Sequence, residues 1–89
     1  MTTSQMQQVS ATGDVTTRDA FLRSVTLTAG SDAATLTVKA GGASGTTVLT
    51  VKAAAGTTAV VTDVHDALCA DGIHATLAGT GPVASIVYV

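Results

Sequence analysis

The side chains best suited to chemistry fall in one stretch: Asp63, His65, Asp66, Asp71 and His74, with Cys69 between them. Imidazoles and carboxylates are the parts of a metal site or of an acid-base pair. A zinc site needs three or four ligands converging on a tetrahedron, and no HxH or HxxxH spacing brings His65 and His74 together. The five polar residues are therefore read as solvent-facing loop residues, some of them at a subunit contact. Cys69 with a histidine and an aspartate supplies the residue types of a nucleophilic site without a local signature for one. A lone cysteine among small apolar residues reads as a buried small hydrophobe. No catalytic, cofactor-binding or metal-binding residue is assigned, and the chain is not expected to be an enzyme or to carry a cofactor.

Other motifs give way to their context. Ser44, in Gly42-Ala43-Ser44-Gly45, lies between two strand-like runs and is a turn residue, not the nucleophile of a strand-to-helix elbow. Gly79-Thr80-Gly81-Pro82-Val83-Ala84 echoes a dinucleotide-binding loop, but such a loop must open a helix, and here a β-rich run follows. Lys39 and Lys52 stand between apolar residues at solvent-facing strand positions, where lysine aids solubility and discourages edge pairing. Arg23 falls on the same parity as Phe21, Val25 and Leu27. Two readings stay open for it: the exposed start of a strand, or a reach to an aspartate across an interface.

The elements that carry these residues are strands. Residues 36–40 and 49–53 are the same pentapeptide, Leu-Thr-Val-Lys-Ala, with apolar residues at alternate positions and a linker rich in turn formers. That period belongs to a strand buried on one face, so the repeat reads as a hairpin. Pairing positions that sum to 89 sets Val38 against Val51, Leu36 against Ala53 and Ala40 against Leu49, and puts both lysines beside threonines. An earlier strand begins at Ala20, with Val25, Leu27 and Ala29 alternating with Ser24, Thr26 and Thr28. A fourth runs from Thr57 to Val64, with Ala59 and Val61 on one face and Val60, Thr62 and Val64 on the other. Residues 65–72 fit a short helical turn or a weak edge strand. Ile73, Ala75 and Leu77 mark another strand, Gly79 to Pro82 a turn, and Val83 to Val89 the last strand.

Length and composition bound the rest. At 89 residues the chain is one domain, near the size where a single core becomes marginal. Residues 1–19, polar and without a sustained period, read as an N-terminal arm, flexible or ordered on assembly; residues 20–89 read as the β domain. The acids are all aspartate, and threonine, alanine, valine and glycine dominate, which favours strand over helix. The expected fold is all-β: a small β-sandwich or a partly open barrel of jelly-roll type. A net charge of −2 and only Arg18, Arg23, Lys39 and Lys52 as fixed cations give no basic stripe for nucleic acid. No apolar run approaches the about 20 residues of a membrane span, and the first residues lack the features of a signal peptide. One cysteine forms no internal disulfide, in keeping with synthesis in a reducing cytoplasm. Phe21 and Tyr88 are the sole Phe, Tyr or Trp residues, so the core is thin and contact with other copies or a large partner is expected to add burial.

The run Arg23-Ser24-Val25-Thr26-Leu27-Thr28-Ala29-Gly30-Ser31-Asp32-Ala33-Ala34, the Gly-Ser hairpin and the ending Gly79-Thr80-Gly81-Pro82-Val83-Ala84-Ser85-Ile86-Val87-Tyr88 resemble the small β-rich virion proteins of tailed bacteriophages. The resemblance is one of composition and cadence over about three quarters of the chain. It implies a head decoration or cement protein, made in the host cytoplasm and resident on the virion. Such a protein forms a homo-oligomer, a trimer favoured, and braces neighbouring subunits of the major capsid protein without binding nucleic acid or membrane. A tail, neck or fibre-associated component has the same composition with a different partner. A small cell-surface or carbohydrate-binding module is the reading from another class, and such sites want exposed aromatics, of which Phe21 and Tyr88 are the candidates.

Overall fold

The computed structural model describes residues 5–62, 64 and 67–89. Its strands are β1 (Gln5–Val9), β2 (Gly13–Thr16), β3 (Ala20–Thr28), β4 (Ala34–Ala40), β5 (Thr46–Ala53), β6 (Thr58–Val61), β7 (Ala67–Cys69), β8 (Ile73–Ala78) and β9 (Val83–Tyr88). No helix occurs among the described residues. One sheet runs β1-β9-β3-β6, with β7 pairing the other end of β3 beside β6; the second runs β2-β8-β4-β5. Every pairing is antiparallel. The molecule measures 38 × 27 × 16 Å, and the short dimension is that of two sheets stacked at about 10 Å with their outward side chains. The protein is an open β-sandwich.

The core between the sheets is aliphatic. Leu22, Val25, Leu27 and Ile86 from the first sheet meet Leu36, Val38 and Ile73 from the second, and Cys69 joins them, all fully buried. Six of the sixteen buried hydrophobic residues are alanine, so the layer is as thin as the composition implies. Cys69 takes the role of a small hydrophobe. Burial pushes its thiol above the ordinary range, because the thiolate loses hydration there. The unfolded chain's thiol ionises first as pH rises. The stabilisation from keeping Cys69 neutral is therefore complete below the ordinary thiol range and is lost as pH climbs through that range towards the raised folded value. Unfolding midpoints in urea should fall over this interval for the wild type, and the fall should shrink in Cys69→Ala.

Bulges depart from the simple alternation. The pairing of β3 with β9 shifts between Leu22 and Ser24, which makes Arg23 the extra residue. Ala20 and Leu22 face inward before it, Val25 and Leu27 after it. Arg23 thus shares the parity of Val25 and Leu27 without sharing their side of the sheet: it is an exposed bulge within the strand, not at its start. Phe21 consequently points outward. The hairpin of β4 and β5 also departs from the expected register. Leu36 pairs with Val51, Val38 with Leu49 and Ala34 with Ala53, and after a shift Lys39 pairs with Thr47. Positions sum to 87 and then 86, not 89, because Val48 is bulged and the turn closes between Gly42 and Gly45, where the Gly45 amide donates to the Gly42 carbonyl at 2.9 Å. From Ala34 to Val38 the displacement is two residues, which keeps the side chains on their faces, and the bulge at Val48 takes up the third, so the burial expected of the repeat is retained while its partners change.

Two further readings are corrected, and one open alternative is decided. Residues 5–9 and 13–16, expected in an arm ahead of the β domain, form β1 on β9 and β2 on β8. Edge strands touch the core with few residues, here Val15 and in part Val9, so no alternation announces them. The fourth strand stops at Val61, and Val64, expected on the face of Val60, packs in part against the core. Within 65–72, residues 67–69 take the strand alternative as β7 on β3.

Candidate functional site

The polar cluster does not assemble as a unit in the described residues. Asp63, His65 and Asp66 lie outside them. Asp71 is exposed, and its amide donates to Oδ1 of Asp19 at 2.7 Å. His74 contradicts the solvent-facing reading: it sits inside β8, 6 % exposed, with its imidazole Nδ1 2.8 Å from Oδ1 of Asp14. Register explains the pair, since Asp14 of β2 and Lys39 of β4 flank His74 on either side. The Lys39 ammonium donates away from this row, to the Ala43 carbonyl at 3.0 Å. An imidazole this covered ties β2 to β8 but offers little surface to a substrate. Asp14 and His74 are 60 positions apart, and the sequence holds no local signal that would join them.

An open recess of about 410 Å³ lies at one end of the sandwich, lined by Gln5, Thr16, Arg18, Asp19 and Tyr88 among others. Its polar groups are largely turned to one another. The Tyr88 hydroxyl donates to Oε1 of Gln5 at 3.5 Å, and Oδ1 of Asp19 is the acceptor for Asp71. The Tyr88 ring packs in part against the core, so it is poorly placed to stack on a sugar.

The outer face of the five-stranded sheet is different in kind. Four large hydrophobic side chains are exposed among the described residues: Met6 at 71 %, Leu68 at 57 %, Val60 at 55 % and Phe21 at 46 %. Register places all four on this face. Phe21 is directly opposite Leu68 on β7 and exchanges both backbone hydrogen bonds with Val89 on its other side, at 2.9 Å each. One step along, Val87 of β9 lies opposite Met6 of β1. Val60 faces Thr26 farther up the sheet. Leu68, Phe21, Val89, Val87 and Met6 thus form one diagonal apolar band. At the opposite end of the sheet the face is polar, with the Thr28 and Thr58 hydroxyls 3.1 Å apart.

No protein-family model, curated protein or solved structure matches the chain. The site is therefore read from its own chemistry. Contiguous exposed apolar bands are characteristic of surfaces that meet another macromolecule. The sequence hid this one because Phe21 shares its parity with the buried Val25 and Leu27 across the bulge at Arg23. The strand alternation alone would have turned it inward.

Proposed function

We propose that the protein is a structural component of a bacteriophage virion, of the head decoration or cement type, that acts by adhesion without turnover. The observation that carries the proposal is the diagonal band of Leu68, Phe21, Val89, Val87 and Met6 on a single sheet face. Such a face binds by removing apolar area from water at about 25 cal/mol per Å². In this reading its partner is the major capsid protein, and symmetry repeats one modest contact over the shell until the summed attachment is strong.

The test is to add the purified chain to heads assembled without it and to measure occupancy by gel densitometry and electron microscopy. Wild-type chain is expected to decorate the heads in regular array. Phe21→Asp puts a charge into the band and should reduce occupancy by about tenfold or more, the expected scale for a central aromatic contact. Its unfolding midpoint should fall far less than after truncation of a core leucine, because Phe21 lies outside the buried core and loses only its cross-strand contact with Leu68. Absence of the wild type from heads, or equal occupancy by Phe21→Asp, would overturn the proposal.

A further inference from the structure

The sandwich has four lateral sheet edges, and three carry devices that discourage a further strand from adding to them. The β5 edge bears Lys52 and the bulge at Val48. The β2 edge is four residues long, bears Asp14 and is broken by a register shift between Asp14 and Thr16. The edge beside β3 is divided between β6, of four residues, and β7, of three. Short length, charge and bulges are the usual ways in which an edge is kept from pairing.

The β1 edge carries neither charge nor bulge. Gln5-Met6-Gln7-Gln8-Val9 contains no charge and no proline, and its pairing with β9 runs without a register shift. Its first four residues are all exposed. No charged side chain occurs before Asp14. Among the described residues β1 pairs with β9 on one side, and its other side presents backbone donors and acceptors.

We infer that the free edge of β1 is a self-association site, where β1 of a second copy adds antiparallel and joins two five-stranded sheets into one continuous sheet. A second copy is the partner that fits. An antiparallel strand pair about a two-fold axis is self-complementary, and the axis at Gln7 sets Gln7 against Gln7 of the other copy, Met6 against Gln8 and Gln5 against Val9. No like charges meet, because the strand has none. The two Met6 side chains lie on the outer face near the axis, so the two apolar bands become parts of one surface. The inference rests on the adhesive reading above and supplies its oligomer, with two-fold symmetry in place of the threefold that the resemblance implies. A pairing of this length buries less than a standard interface, so the free dimer is weak and gains strength when both bands are docked.

Sedimentation of the full chain over a range of concentrations tests it. A monomer-dimer equilibrium with a dissociation constant on the order of 0.1 mM is expected. Gln7→Lys places two ammonium groups across the axis and should weaken the dimer about fivefold. Gln7→Glu should do the same, and an equimolar mixture of the two variants should regain association as a heterodimer. That rescue follows from direct contact at Gln7 and would not follow from misfolding. A wild type that stays monomeric to about 1 mM, a mass of three copies, or a dimer indifferent to charge at Gln7 would each overturn the inference. So would a dimer that responds to Phe21→Asp and not to Gln7→Lys, since self-contact would then lie on the face. The two proposals fail separately: a dimer that never decorates heads removes only the function proposed above, and a monomer that does decorate them removes only the β1 pairing.

Discussion

Replacing Gly72 with alanine is expected to remove a large part of the chain's stability. Gly72 sits at φ 114, and a Cβ built there would run into the carbonyl oxygen of Thr16 and come within 2.9 Å of the Thr17 Cα. Both contacts are backbone, so no side chain can swing aside. The turn it occupies takes the chain from β7 in one sheet to β8 in the other, and its groups are already committed: the Gly72 carbonyl accepts from Gly41 at 3.2 Å, and its amide donates to Cys69 at 3.4 Å. Ile73, the next residue, is fully buried, so relief by moving the turn would withdraw a core side chain. Strained backbone and steric conflict together should cost about 4 kcal/mol or more. A domain of this size has roughly 4–13 kcal/mol in all. Urea unfolding followed by circular dichroism would read the change, and a loss below about 1 kcal/mol would mean that the turn is looser than its geometry.

Leu36→Ala is expected to cost about 3–5 kcal/mol, at the upper end for a leucine truncation. Leu36 is fully buried on β4, a central strand, between Val51 of β5 and Leu77 of β8. The cost depends on how far neighbours can move into the space left. Here they sit on hydrogen-bonded strands in a close-packed layer made largely of valine, isoleucine and alanine, which have little reach and few alternative rotamers. Leu49→Ala, at a half-buried position of the edge strand β5, should cost markedly less when the two variants' unfolding midpoints are compared. Equal losses would mean that the cavity at Leu36 collapses.

Both effects are large for the same reason: a thin core with no fully buried aromatic residue leaves each leucine and each crossing between sheets a large share of a small total. This also bears on the adhesive reading. Phe21 is the one phenylalanine, and it is spent on the outer face instead of the core. That placement withholds burial from the monomer that a partner can recover.

The repeat of Leu-Thr-Val-Lys-Ala could be recognised as a hairpin because both strands obey the two-residue period, and Val38, Leu36 and Val51 went inward as that period requires. The cluster around His74 could not be read in this way. Its imidazole is held by Asp14, which belongs to a strand whose pairing depends on a distant part of the chain. Likewise, Gln5–Val9 has no alternation of its own. Its identity as a strand comes from β9, against which it is laid.

Sequence by itself determined the strand class, the aliphatic thin core, the hairpin and the side of the sheet each of its residues faces, since these follow from local propensity and a period of two. Tertiary structure decided the register, the bulge at Arg23 that turns Phe21 outward, the strands β1 and β2, the Asp14–His74 pair and the unguarded edge. Each of these depends on which strand lies beside which, and backbone pairing between distant segments leaves almost no mark on either segment alone.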